Sequence, residues 1–148
     1  IEQIGRPPIK GIDKDYYFLQ PVYDTKGIIY SPVENNKVMI RSIIGKDTCI
    51  KLIDRAKNCK KDEALNEKIH PSRYDEMVKS QDVIQLMHLV RALFNIKNDR
   101  AKELRRMKSA DNRMLATARK LLYGEIAAAM NEDYTAMSEQ MDNYLSVL

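Results

Sequence analysis

Hydrophobic positions follow two different spacings along this chain. Up to residue 45 they come in short β-branched and aromatic runs: Tyr16-Tyr17-Phe18-Leu19, Gly27-Ile28-Ile29-Tyr30 and Val38-Met39-Ile40. Turn-forming stretches at 24–27 and 34–37 separate the runs, which predicts an antiparallel meander with loops of four or five residues. Tyr16, Tyr17, Tyr23 and Tyr30 fall in or beside its strands. Pro7, Pro8, Pro21 and Pro32 sit at run edges, where a missing N–H costs least.

From Asp47 onward the spacing is helical. Asp47 is the expected N-cap of a first helix that turns Ile50, Ile53 and Ala56 to one face. A charged break at 58–62 follows. Pro71 can open the next helix in its first turn, carrying Tyr74, Met77 and Val78. Ser80-Gln81-Asp82 breaks and recaps the chain before Val83, Leu86, Met87, Val90, Leu93 and Phe94, the stripe of a core-facing helix. Ser109-Ala110-Asp111 offers another cap. Met114, Leu115, Ala118, Leu121, Leu122, Ile126, Ala129 and Met130 then form the longest stripe. A last helix starts near Tyr134 with Met137, Met141, Tyr144 and Leu145. The expected class is α+β: a small antiparallel β module at 1–45, then a compact α-helical bundle at 46–148.

Composition narrows the classes of function. With 148 residues, 44% hydrophobic and 31% charged, the chain can bury a core and is not a disordered polymer. Five glycines and five prolines exclude collagen-like or linker-dominated sequence. No apolar run approaches the roughly 20 residues that span a bilayer, so no membrane partner is expected. No basic start leads into an apolar segment, so no signal peptide is expected. The chain opens on Ile1 rather than Met, and a missing natural beginning is expected. Cys49 and Cys59 lie ten residues apart in a helical stretch, too far along one axis for a disulfide. With His70 and His88 the only histidines, a reduced, cytoplasmic protein without structural metal or cofactor is expected.

Charge is segregated. Residues 97–120 carry nine basic side chains against three acidic ones, and the last 28 residues carry five acids and no Lys or Arg. A polyanion-facing segment beside an acidic tail fits this pattern, and so does a solvated helix face with intrahelical pairs. Catalytic signatures are missing. The glycines are isolated, so there is no phosphate loop, and no Ser or Cys has a nucleophile-elbow context. Glu125 lies within the apolar stripe of the long helix, where a helix–helix hydrogen bond is its expected role. His88 is expected to be structural or exposed. Neither an enzyme nor a small-molecule substrate is expected.

Two groups of segments resemble the CarD family of bacterial transcription regulators. The first runs from Ile9-Lys10-Gly11 through Tyr16-Tyr17-Phe18-Leu19 to Ile29-Tyr30-Ser31-Pro32-Val33-Glu34-Asn35 and Met39-Ile40-Arg41. The second comprises Ser72-Arg73-Tyr74, Ser80-Gln81-Asp82-Val83, Leu89-Val90-Arg91-Ala92-Leu93 and the stretch 113–127, Arg113-Met114-Leu115 through Gly124-Glu125-Ile126-Ala127. Together they cover nearly the whole chain in order. The resemblance implies a Tudor-like RNA-polymerase-interaction domain, here lacking its opening strands, and a helical DNA-binding domain. It implies a non-enzyme that binds the RNA polymerase β subunit and promoter DNA at the upstream edge of the bubble, stabilising the open complex. Binding of DNA would be largely sequence-independent.

On that resemblance the polymerase-binding residues are Arg6, Ile9, Lys10, Tyr30 and Ser31. Tyr30 and Ser31 lie on a strand able to pair edge to edge with a polymerase strand. The plainer alternative packs Tyr30 into a small core and leaves the cations solvated. The DNA-binding residues are His70, Ser72, Arg73, Asn112 and Arg113, at helix starts where backbone N–H groups and side chains can hold phosphates. The plainer alternative is caps and surface ion pairs. Many members place a Trp wedge at a position that falls at or next to His70. This chain has no Trp, and imidazole is a smaller, more polar wedge. A nucleoid protein that never meets polymerase, and a protein–protein adaptor that binds no DNA, remain alternatives.

Overall fold

Three short strands build the first part of the chain: β1 (Gln3–Gly5), β2 (Tyr16–Leu19) and β3 (Ile29–Pro32), in the antiparallel order β1-β2-β3. They belong to a computed structural model that describes residues 1–22, 26–34, 37 and 40–148. The described residues form two compact units, Ile1–Ser42 and Ile43–Leu148, and the architecture is α+β.

In the first unit Phe18 stands opposite Tyr30, and the two rings meet edge to face at 4.9 Å. This T-shaped pair is the cross-strand contact that aromatic side chains favour, and it buries Phe18. Two expectations change here. β1 was not foreseen, and the connection from β2 to β3 spans residues 20–28 rather than four or five. Of the expected strand Val38-Met39-Ile40, Val38 and Met39 lie outside the described residues, and Ile40 is not in a strand. Tyr23, the turn residues Asp24 and Thr25, and Asn35 and Asn36 also lie outside the described residues.

The second unit holds α1 (Lys46–Lys57), α2 (Glu63–Asn66), α3 (Tyr74–Ser80), α4 (Val83–Lys102), α5 (Ser109–Met130) and α6 (Tyr134–Leu145). Short 3₁₀ turns at Cys59–Lys61 and Pro71–Arg73 precede α2 and α3. Aspartate caps set three of the starts. Asp62 accepts from Leu65 N–H at 3.1 Å, Asp82 from Ile84 N–H at 2.8 Å and Asp133 from Ala136 N–H at 3.0 Å. Gln81 ends α3 in the left-handed region at φ 53°.

α4 is the axis of this unit. It packs against α2, α3, α5 and α6, so Leu89 through Phe94 are buried all the way round rather than on one stripe. α5 and α6 pack together, and α1 closes on both. Two of the expected faces shift. α1 buries Cys49, Leu52 and Ala56 while Ile50 is exposed, and Gly45, not Asp47, stands at its N-cap. In α5 Leu121 is exposed and Tyr123 is buried, and the helix begins at Ser109 after Lys108 without a side-chain cap. Glu125 bonds to the chain ahead of a helix rather than to a second helix: its carboxylate accepts the Ile44 peptide N–H at 3.0 Å, just before α1.

Candidate nucleic-acid and protein interfaces

In the sheet unit, β3 has β2 on one side and no described strand on the other. Val33 N–H donates to the Asp15 carbonyl at 3.1 Å. Alternation along an antiparallel ladder then turns the peptide groups of Ser31 inward toward Tyr17 and those of Tyr30 outward to the open edge. Ser31 is correspondingly buried. The Tyr30 ring packs on Phe18, so what this residue offers at the edge is main chain. Arg6 pairs with Asp13 at 3.0 Å and shares a shallow cleft with Pro32 and Val33. Ile9 and Lys10 are exposed but do not line that cleft. Ile4 and Ile29, on the face shared with Tyr17, are exposed.

In the helical unit, His70 caps the turn Pro71–Arg73. Its Nδ1 accepts from Ser72 N–H at 3.2 Å and lies 2.8 Å from Ser72 Oγ, which leaves Nε2 as the ring nitrogen open to an outside partner. His70, Ser72 and Arg73 are all exposed, as are Asn112 and Arg113 in the first turns of α5. A cleft of about 510 Å³ is lined by chain neighbours of both groups. Ile69, Pro71 and Tyr74 line one part of it, and Arg100, Lys102 and Lys108 another. Lys68 lines it too, and Asp111, immediately before Asn112, also borders it. Burial, then the Asp111 charge, raise the Tyr74 phenol above its ordinary pKa. His70, Ser72, Arg73, Asn112 and Arg113 do not themselves line the cleft, whose four cations share it with Glu67, Asp99 and Asp111. Sequence spacing could not join Lys68 to Arg100 or Lys102, which meet only through the fold.

Not every cation of the 97–120 segment faces outward. Arg119 donates through Nε to Asp142 Oδ1 at 2.9 Å and through Nη2 to Oδ2, joining α5 to the acidic tail. Tyr123 donates its hydroxyl to the same Oδ1. Arg91 is buried on α4, where its guanidinium donates to Asn66 Oδ1 at 2.8 Å and to the carbonyls of Leu145 at 2.9 Å and Val147 at 2.6 Å. A guanidinium so enclosed needs those acceptors, so Arg91 is a structural hub. His88 lies 3.0 Å from the Glu67 carbonyl through Nε2. Cys49 and Cys59 are buried free thiols, and burial raises both pKa values. Among the described residues, no group of three or more His, Cys, Asp or Glu could hold a metal ion, and no helix is long and apolar enough to cross a membrane.

The chain thus carries a three-stranded sheet unit followed in sequence by a helical bundle built around α4 and α5. The model of the CarD C-terminal domain matches residues 51–142, and the chain belongs to the CarD family. It is a CarD-like, transcription-associated protein of a non-catalytic transcription-factor family. The match runs from within α1 into α6 and contains all five candidate DNA residues.

Proposed function

We propose that this protein bridges RNA polymerase and promoter DNA and stabilises the open complex. Residues 1–45 would serve as the polymerase-interaction domain and 46–148 as the DNA-binding domain, in a cytoplasmic protein. The observation that supports the reading is that His70, Ser72, Arg73, Asn112 and Arg113 are exposed, and that their chain neighbours Pro71 and Asp111 line one cleft with Lys68, Arg100, Lys102 and Lys108. Exposed cations at helix starts suit phosphates, and contacts to phosphates carry no base sequence. The outward peptide groups of Tyr30 and the exposed Ile4 and Ile29 support a protein partner for the sheet, for which we take the polymerase β subunit.

The test is open-complex lifetime on several promoters, with and without the full chain, together with capture of the isolated β subunit. A longer lifetime and capture of the subunit are expected. DNA binding without capture would make the protein a nucleoid component, and capture without DNA binding would make it an adaptor. His70→Trp should lengthen the lifetime beyond wild type, since indole recovers more of the unstacking cost, and His70→Ala should shorten it. Identical lifetimes for all three would remove His70 from the interface.

A further inference from the structure

α4 ends in a Schellman arrangement. Leu104 N–H donates to the Ala101 carbonyl at 3.0 Å and Arg105 N–H to the Arg100 carbonyl at 2.8 Å. Leu104 therefore occupies the left-handed position, with φ 56°. α5 ends in the same way, with Asn131 at φ 52° and Glu132 N–H bonded to the Ala127 carbonyl at 2.9 Å. Glycine or asparagine is the ordinary occupant of this position, because a side chain crowds the backbone there. Leucine is neither, and its side chain is 98% exposed.

The two hydrogen bonds of the motif offset the backbone cost in part, but the 98% exposure of Leu104 leaves its side chain in water. The apolar contact that accompanies this motif joins the residue after the left-handed one to the third residue from the helix end. Here those two are Arg105 and Arg100. The loop itself is held: Arg100 Nε donates to the Arg106 carbonyl at 2.6 Å, tying the return of the chain to α4.

Arg100, Lys102, Arg105, Arg106 and Lys108 surround this apolar tip in sequence, against Glu103 alone between residues 100 and 108. The Lys102–Asp99 and Arg105–Glu103 pairs, at 3.9 and 3.6 Å, are exposed and weak. Arg100, Lys102 and Lys108 line the cleft that Pro71 and Tyr74 also line. An apolar side chain on a hydrogen-bonded turn with cations beside it in sequence matches a nucleic acid, whose phosphates take the cations and whose base stack takes the wedge. One leucine is a poor anchor for a lipid surface.

We propose that Leu104 is an apolar wedge that enters a DNA base step, with Arg105 and Arg106 on the neighbouring phosphates. This is a second contact besides the His70 position, and it rests on the DNA-binding reading above.

The full chain is titrated onto a fluorescein-labelled duplex containing a short unpaired bubble, and onto its fully paired twin, at several salt concentrations. Wild type should prefer the bubbled duplex, and Leu104→Asn should bind it about fivefold more weakly and lose the preference. Asparagine suits the left-handed position, so this variant should melt no lower than wild type, and its salt slope should not change. Leu104→Met should retain the preference. Equal affinities of wild type and Leu104→Asn for both duplexes would overturn the wedge. If Arg73→Ala and Arg113→Ala still reduced the salt slope in that case, DNA binding would stand without it. Failure of wild type to bind either duplex would overturn both. Leu104-dependent binding to phosphatidylglycerol vesicles in place of DNA would overturn the assignment of DNA as the partner.

Discussion

The Tyr123 hydroxyl donates to Asp142 Oδ1 at 2.8 Å, on the carboxylate that also receives the Arg119 guanidinium. This polar contact beside the core joins α5 to α6. Tyr123→Phe keeps the ring and removes the donor, and should cost about 1 kcal/mol, seen as a thermal midpoint lower by about 2–4 °C. Burial, reinforced by the Asp142 charge, raises the phenol well above its ordinary value of 10.0. The neutral form therefore belongs to the fold, so its contribution is complete below pH 10.0 and is lost as pH rises beyond it. Urea unfolding should show wild type losing stability more steeply than Tyr123→Phe on the alkaline side.

Asp62 behaves in the opposite sense. The hydrogen bond from Arg55, at 2.6 Å, pulls the carboxyl below its ordinary 3.8, aided by the Leu65 N–H and opposed by burial. Its contribution is present above pH 3.8 and disappears as pH falls through the lowered value. Asp62→Ala removes both the cap and the ion pair, and should cost about 1 kcal/mol at neutral pH. Urea midpoints of the two proteins should converge as pH falls from 7 toward 2. A gap that stayed constant over that range would show that the charge of Asp62 does not matter.

Arg113 is exposed in the second turn of α5. If it holds one phosphate, Arg113→Ala should lower the slope of log affinity against log salt by about one unit. Anisotropy titration from low to physiological salt reads this directly. An unchanged slope would take Arg113 off the DNA.

Edge pairing by β3 is best tested at Tyr30, not at Ser31. Because the Ser31 peptide faces Tyr17, Ser31→Pro would break the sheet itself. Tyr30→Pro and Tyr30→Ala both lose the ring on Phe18, and only the proline loses the outward N–H. The β subunit should therefore bind Tyr30→Pro more weakly than Tyr30→Ala. Equal capture of the two would exclude main-chain pairing at this edge.

Sequence revealed the helices best where apolar residues recur without a rival. The Val83, Leu86, Met87, Val90, Leu93 and Phe94 stripe of α4 is fully buried, and the Ser80–Asp82 break falls where α3 ends. It misled where residue type alone was taken to choose the buried face. Ile50 reads as core by type, yet Cys49 one position earlier is buried. Leu121 is exposed, while Tyr123, on the far side of α5, is buried with its hydroxyl on Asp142, a partner 19 residues away. β1, with only three residues, offers too short an alternation to read. The buried role of Arg91 depends on carbonyls beyond residue 144, and the cleft brings Lys68 together with Arg100, Lys102 and Lys108. Linear spacing carries no trace of such meetings.

The bond between Ile44 N–H and Glu125 has a practical consequence for dissecting the molecule. α1 begins at Lys46, but the backbone that its unit holds begins earlier. A fragment cut at the first helical residue would withdraw a partner from a carboxylate on the longest helix, whereas one starting at or before Ile43 would preserve it. Proteolysis should accordingly spare the peptide bonds around Ile44 in the intact protein and attack them in Glu125→Ala. The helical unit is thus best produced from Ile43 onward, with the segment before α1 treated as part of its folded body.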